Sequence, residues 1–249
     1  MKFCKPNLPT DNVNTVIVSG EYSYIIRELR NLGVNSITTS PNNLLPIPER
    51  YHADMQCSYY CAGKIAISSY SCNSIFVKNL TKIGLKITKL EVNLNNKYPN
   101  NVWFNHLVLN NKIICNKKYT PSQILEYCSD NSKKIINVNQ GYTKCSTAVV
   151  SDNAIITSDT GIATACKKYG LDVLKIRCGY ILLPYYNYGF IGGCCGKLSD
   201  CTLAFTGKIK QHPDYNNIKS FLLNHQINIL ELSNKPLLDI GSILPLIEN

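Results

Sequence analysis

The sequence predicts an α/β fold in which about five copies of one strand-hairpin-helix unit form a ring. Three observations predict it: strands and helices alternate along the chain, one hairpin signature recurs, and one unit is divided between the two ends of the chain. Each unit runs from an apolar strand through a polar turn to a second apolar strand, an amphipathic helix and a short strand. The alternative fold, an open doubly wound sheet, would not need the hairpins.

Four hairpins are predicted where Asn, Asp or Gly stands with a polar residue between two apolar runs. They are YYCAGKIAIS (59–68), LVLNNKIIC (107–115), AVVSDNAIIT (148–157) and KLSDCTLAFTG (197–207). A predicted helix follows each hairpin and begins near a capping residue: Ser71, Thr120, Thr160 or Asp214. Gly84 and Gly170 are expected to end two of these helices in the left-handed conformation.

The fifth unit is split between residues 13–40 and residues 235–249. The first segment predicts a strand, a helix and a second strand, and the last segment predicts an apolar strand with no helix after it. Pairing the two segments would close the ring and remove the exposed sheet edges of an open array. We therefore expect one domain over residues 1–249.

Composition limits the class of protein. Of the 249 residues, 45% are hydrophobic and 17% are charged, and neither a membrane span nor an apolar export signal is evident, so we expect a cytoplasmic protein without membrane contact. The 12 cysteines are scattered through apolar segments without a Cys-x-x-Cys pair, which predicts free thiols and no metal site. No dinucleotide or Walker motif is present, so no cofactor is predicted.

The net charge of +10 allows an anionic partner such as RNA or the ribosome. A generally basic surface is the alternative, because the lysines occur as isolated pairs rather than as a basic run. The oligomeric state is left open.

Residues whose side chains can take part in catalysis or ligand binding recur where the first strand of each unit begins. If these strands line the interior of the ring, the residues converge on a central cavity. We predict a thiol nucleophile there, with the catalytic candidates Cys145, Cys194, Cys195, His52 and Asp54. The predicted substrate-binding residues are Lys144, Asp239, Ser242 and Asn105. One of the thiols is expected to be partly ionised at neutral pH, because the thiolate is the reactive form.

Several of these motifs allow two interpretations. His52 and Asp54 on one strand face could act as a base with an orienting group or bind a cation, or they could cap a turn and bond backbone amides. GFIGGCCG (189–196) could activate a thiolate in an amide-lined turn, or be a tight crossing where only small residues fit. PYYNYGF (184–190) could line a pocket or form a lid, and HPD (212–214) indicates a helix start.

HADMQ, GYTKCS, GFIGGCCG and DIGSILPL together resemble the pentein, or guanidino-group-modifying enzyme, fold, and within it an uncharacterised clostridial family. The resemblance implies a five-bladed pseudosymmetric α/β-propeller. Arginine deiminases, amidinotransferases and dimethylarginine hydrolases of this fold use a cysteine nucleophile, a histidine base and carboxylates that clasp guanidinium. Asp54 falls at one such carboxylate. Ser242 stands where those enzymes carry the cysteine, so the standard catalytic residues of the family are not clearly preserved. A pseudosymmetric ring allows a rotated site in which His52 and Asp54 serve Cys145 or Cys195.

Two functions of different classes follow. The first is a cysteine-dependent hydrolase or transferase that acts on a small guanidine, amidine or other polar compound, favoured by the Cys, His and Asp residues. The second is a non-catalytic binding module for an anionic partner such as RNA or the ribosome, favoured by the positive charge.

Overall fold

The structure is a computed structural model that describes residues 2–71 and 74–249. Its strands form five small sheets. The strands are β1 (Lys2–Phe3), β2 (Val13–Val18), β3 (Asn35–Thr38), β4 (Cys57–Cys61), β5 (Lys64–Ser68), β6 (Lys86–Leu90), β7 (Leu107–Val108), β8 (Lys112–Cys115), β9 (Lys134–Asn137), β10 (Thr147–Ser151), β11 (Ala154–Thr157), β12 (Asp172–Lys175), β13 (Cys195–Ser199), β14 (Thr202–Phe205), β15 (Asn228–Glu231) and β16 (Leu244–Glu248). The helices are α1 (Ser23–Asn31), α2 (Ala53–Gln56), α3 (Ile75–Lys82), α4 (Ser122–Asp130), α5 (Thr160–Lys168) and α6 (Tyr215–Asn224).

Four of the sheets repeat one topology. Each has an antiparallel hairpin and a third strand that runs parallel to the second, in the orders β4-β5-β6, β7-β8-β9, β10-β11-β12 and β13-β14-β15. One helix of α3 to α6 lies between the second and third strands of each sheet. These four sheets therefore share the order of strand, hairpin, helix and strand that the sequence predicts.

The fifth sheet contains both ends of the chain, in the order β1-β16-β2-β3. Strand β16 runs antiparallel to β2, with Leu244 opposite Ile17, and β1 pairs with its other edge, with Phe3 opposite Ile247. The predicted pairing of the two ends is confirmed.

Helix ends follow the local sequence. Gly84 and Gly170 adopt φ values of +89° and +78° just beyond α3 and α5, as predicted. Helix α6 follows Asp214, also as predicted. Helix α3 begins at Ile75 rather than near Ser71, because Ser74 Oγ accepts the backbone N–H of Val77 at 3.2 Å. Positions 72 and 73, within the predicted start, lie outside the described residues.

The core is divided into five apolar clusters, and each cluster joins two sheets. We call the sheet β1-β16-β2-β3 the terminal sheet. Going round from one sheet to the next, the clusters connect the β4–β6, β7–β9, β10–β12, β13–β15 and terminal sheets in that order, and the last cluster connects the terminal sheet back to β4–β6. Successive side chains of a middle strand point to opposite faces of its sheet and so pack in two different clusters. On β5, Ile65 and Ile67 pack in the cluster shared with the terminal sheet, and Ala66 packs in the cluster shared with the β7–β9 sheet. Each sheet therefore packs against two others.

Eleven cysteines lie in the described residues and all are free; Cys72 falls outside them. Across residues 2–71 and 74–249, no helix has the length and apolar character needed to cross a bilayer.

Candidate active site

His52 and Asp54 enter the centre on a helical turn. The prediction that they share a strand face is wrong, because Ala53–Gln56 forms the short helix α2 before β4 begins. This turn packs on the turn before β16, where Asp54 N donates to Gly241 O at 3.2 Å. Gly241 has φ +75°, and a Cβ built there would lie 2.3 Å from His52 Cβ. The lack of a side chain at position 241 thus makes room for His52.

His52, Asp54 and Cys145 form a group that we call the reactive cluster. One ligand atom from each side chain lies within 4.8 Å of the other two, and all three residues are 2% exposed or less. The Cys145 thiol donates to Asp54 Oδ2 at 3.1 Å. Asn105 fixes the cysteine from the other side: its Nδ2 donates to Cys145 Sγ at 3.0 Å and its Oδ1 accepts Cys145 N at 3.1 Å.

Ser242 and Lys144 extend the cluster. Ser242 Oγ lies 2.6 Å from Asp54 Oδ2 and 2.8 Å from Gly192 O, and it accepts Lys144 Nζ at 2.9 Å. Ser242 has φ +72°, a conformation that is uncommon for a residue with a side chain. The hydroxyl and the ammonium group are thereby held next to the Asp54 carboxylate.

Asp239 sits behind His52, with Oδ1 3.8 Å from His52 Nδ1. Its carboxylate accepts two backbone N–H groups, from Phe190 at 2.9 Å and Gly241 at 3.0 Å. A Cβ at Gly193 would lie 1.9 Å from Asp239 Oδ1. GFIGGCCG is therefore a close crossing that accommodates Asp239, one of its two interpretations.

Cys194 and Cys195 lie apart from the reactive cluster. Cys194 Sγ donates to Ile191 O at 3.2 Å, and both cysteines pack in the apolar cluster between the β10–β12 and β13–β15 sheets. The structure therefore brings Cys145, rather than Cys194 or Cys195, to His52 and Asp54.

Burial determines the protonation of the reactive cluster. It raises the pKa of the Cys145 thiol well above its usual value, and the carboxylates of Asp54 and Asp239 raise it further. It likewise raises the pKa of Asp54, raises that of Asp239 to about 6, and lowers that of His52 to about 4. Burial also raises the pKa of Cys194 well above its usual value and that of Cys195 to about 12, so burial favours the neutral thiol at all three candidate cysteines. A partly ionised thiol in a catalytic site stays a prediction.

Two polar atoms of the cluster have no hydrogen-bond partner among the described residues: His52 Nε2 and Asp54 Oδ1, both buried. Both atoms are therefore free to form a hydrogen bond with a bound molecule. A ligand with N–H groups fits the carboxylate oxygen. Imidazole, carboxylate and thiol also form a donor set of the kind that holds zinc, so His52, Asp54 and Cys145 could bind a divalent metal.

The predicted site residues pack together instead of lining one open cavity. A void of about 20 Å³ borders Asp54, Lys144 and His106, and a second of about 10 Å³ borders Lys144 and Cys195. The first has room for about one water molecule. A larger cavity of about 240 Å³ is lined by Glu49, by Leu183 and Asn187, and by four aromatic residues. Four of its residues belong to PYYNYGF (184–190), which therefore lines a pocket.

Two buried features of the structure were not among the predicted site residues. Glu49 is 4% exposed; its Oε2 accepts Asn101 Nδ2 at 2.9 Å and its Oε1 accepts the Tyr142 hydroxyl at 3.3 Å. Ser58 Oγ lies 2.6 Å from His106 Nε2. A lone acid in the apolar, proline-containing segment LLPIPER was the available signal for Glu49.

The sequence profile of a family of unknown function, DUF6873, matches residues 17–244. The chain belongs to that family. No curated protein sequence matches this DUF6873 chain.

Solved structures resemble the DUF6873 chain along most of its length. An inosamine-phosphate amidinotransferase from Streptomyces griseus is 9% identical, with a TM-score of 0.63 over 100% of this chain and 98% of that chain. Agmatine deiminase from C. jejuni is 9% identical, with a TM-score of 0.56 over 99% and 97%. The DDAH of Pseudomonas aeruginosa, with citrulline bound, is 8% identical, with a TM-score of 0.56 over 88% and 92%. The chain has the pentein fold that the resemblance implied.

Proposed function

We propose that this DUF6873 protein is a cysteine-dependent hydrolase or transferase that acts on a small guanidine or amidine, with Cys145 as the nucleophile. The observation that carries the proposal is the buried Cys145 thiol, bonded to Asp54 and grouped with His52, whose Nε2 has no partner among the described residues. Proteins of the same fold are an amidinotransferase, an agmatine deiminase and a DDAH, which suggests the substrate class.

The substrate itself would activate the thiol. A protonated amidine beside Asp54 and Asp239 neutralises the carboxylates that help to keep the pKa of Cys145 high. The thiol proton then passes to the neutral imidazole of His52, and the thiolate attacks the amidine carbon. A C–S bond forms as the C–N π electrons move to nitrogen. His52 returns the proton to the leaving amine as its C–N bond breaks. Water or a second amine then adds to the carbon and gives a proton to His52, and the C–S bond breaks as His52 returns that proton to the sulfur of Cys145.

The remaining cluster residues would hold this geometry. Asn105 and Asp54 bond Cys145 Sγ from two sides, which fixes the direction of attack. Lys144 and Ser242 would keep Asp54 ionised and oriented. Ser242 holds a left-handed conformation next to the carboxylate, and such strain is concentrated at functional sites.

We also propose that the whole chain is one domain and that its sheets form a closed five-bladed propeller. The five apolar clusters join the sheets pairwise in a cycle, and the split terminal sheet supplies the fifth member. In such a ring the turns before β4, β7, β10, β13 and β16 face one centre. That arrangement accounts for a site assembled from residues 52 to 242.

A direct assay tests the function. Purified protein is incubated with a panel of small guanidines and amidines, and released ammonia or amine is measured. Cys145→Ser should lower turnover by at least about a thousandfold, as expected for loss of a nucleophile. Cys194→Ala removes a buried thiol outside the cluster and should retain most of the activity. Absence of turnover in the wild type, together with salt-dependent RNA binding, would favour the non-catalytic alternative instead.

A further inference from the structure

The 240 Å³ cavity has an acidic, aromatic lining, and we call it the aromatic pocket. Its walls are Tyr142, Phe190 and Tyr188, with ring centroids 5.9 Å apart for the first pair and 6.1 Å for the second. Tyr186 and Tyr188 are 46% and 40% exposed, so they form the rim. The volume is below the roughly 300–1,000 Å³ of drug-sized sites, which suits a group of a few carbon atoms.

Among the described residues that line the pocket, Glu49 alone carries a formal charge. Its neighbours Asn101, Tyr142 and Tyr186 hydrogen-bond it as neutral groups. Within the described ranges, no lysine, arginine or histidine forms an ion pair with it. Burial raises the pKa of Glu49, and a cation bound beside the carboxylate would favour its charged form.

Two residues that line the pocket, Tyr142 and Phe190, pack against the apolar cluster that contains Cys145. Tyr142 O accepts Ser146 N at 2.9 Å, in the turn that carries Cys145. Phe190 N donates to Asp239 Oδ2 at 2.9 Å, and the other oxygen of Asp239 lies 3.8 Å from His52. A molecule in the pocket therefore lies next to the segments that position the thiol and the imidazole.

We propose that the aromatic pocket binds an alkylammonium tail on the substrate. The proposal rests on the proposed function, because it assigns the second end of a molecule whose amidine or guanidine carbon meets Cys145. The aromatic faces attract a cation, and Glu49 gives it a counter-charge. A tail that ends in a carboxylate meets Glu49 with like charge and no basic side chain in the lining. The site therefore selects amine-bearing compounds over the corresponding amino acids.

The test measures binding of simple tail analogues to the intact protein by ligand-observed NMR. Butylammonium is the cation, butan-1-ol the neutral analogue and butyrate the anion. Wild-type protein should bind butylammonium at least about tenfold more tightly than butan-1-ol and should not bind butyrate measurably. Glu49→Gln should remove this preference, and Glu91→Gln, an exposed acid on another part of the chain, should leave it unchanged.

A second variant, at the exposed rim, tests the pocket even if Glu49→Gln fails to fold. Tyr188→Ala alters a 40% exposed side chain and should weaken butylammonium binding at least about threefold. Equal binding of the three analogues, or an unchanged preference in folded Glu49→Gln, would overturn the tail assignment. Turnover of acetamidine, which has no tail, reports separately on Cys145. Acetamidine turnover without cation preference would refute this inference alone, and cation preference with an inert Cys145 would refute the proposed function alone.

Discussion

His52, Asp54, Asp239 and Cys145 are each 2% exposed or less. Removal from water disfavours the charged form of each group, so the acids and the thiol hold their protons more tightly and the imidazole holds its proton less tightly. In this conformation, burial therefore favours a neutral thiol beside a neutral imidazole. The proposed role of Cys145 as a nucleophile therefore requires the substrate to supply the charge that favours the thiolate.

His106 gives a pH test of burial outside the reactive cluster. Burial lowers its pKa to about 4, whereas an unfolded histidine titrates near 6.5. As pH falls from about 6.5 to about 4, the unfolded state gains a proton that the folded state does not. The free energy of unfolding should therefore fall in the wild type relative to His106→Gln, by about 3 kcal/mol at the low end.

The measurement is urea unfolding of both proteins at several pH values. Subtracting one curve from the other cancels Asp239, whose pKa is raised to about 6 and whose titration acts with the opposite sign over much of this range. Parallel curves across this range would show that His106 does not titrate as its burial requires.

Among structural elements, the turns before the first strands decide the site. The sequence predicted that residues able to take part in catalysis or binding lie at these turns, because hairpins and helices can be recognised from local patterns. It did not reveal that residues 53–56 form a helical turn, because four residues are too few to show helical periodicity. It also could not distinguish Cys145 from Cys194 and Cys195, since that choice depends on contacts between distant turns.

Substitution of Gly241 tests how closely the turn before β16 packs against the turn that carries His52. Gly241→Ala places a Cβ 2.3 Å from His52 Cβ in a left-handed turn, whereas Gly33→Ala at φ +78° has no atom within 4 Å of its Cβ. Gly33→Ala should cost only the backbone strain, about 1–2 kcal/mol. Gly241→Ala should cost a further ~1–3 kcal/mol because it overpacks the site. Urea unfolding at pH 7 measures both, and equal losses would mean that His52 does not rest on Gly241.

At the scale of the whole molecule, the terminal sheet is the least local feature and yet was predictable. A unit without its first strand at one end and a lone apolar strand at the other indicated the pairing of β16 with β2. The aromatic pocket was not predictable, because Glu49, Tyr142 and Phe190 are separated by 93 and 48 positions and meet only in the folded chain. Contacts between residues so far apart in the sequence leave no local pattern from which they could be predicted.

Deletion of strand β16 tests how much the terminal sheet contributes to the stability of the fold. Removing residues 243–249 deletes the partner of both β1 and β2, together with Leu244 and Leu246 of the apolar cluster shared with β4 and β5. The truncated protein should melt at a lower temperature and less cooperatively, because an edge is exposed and core area is lost together. A circular permutant that joins the two ends and opens the exposed turn at Asn131 retains every strand and should melt as the wild type does. Unchanged melting of the truncated protein would contradict a closed ring.

The most direct test compares two electrophiles of nearly the same shape, cationic chloroacetamidine and neutral chloroacetamide. Peptide mass mapping follows each of the described cysteines, with exposed Cys178 and Cys201 as internal standards. Chloroacetamidine should modify Cys145 at least about tenfold faster than chloroacetamide does, because only the cation neutralises Asp54 and Asp239 and lowers the pKa of the thiol. His52→Ala should slow that reaction. Equal rates at Cys145 for the two reagents, or labelling confined to Cys178 and Cys201, would contradict the assignment of Cys145 as the nucleophile.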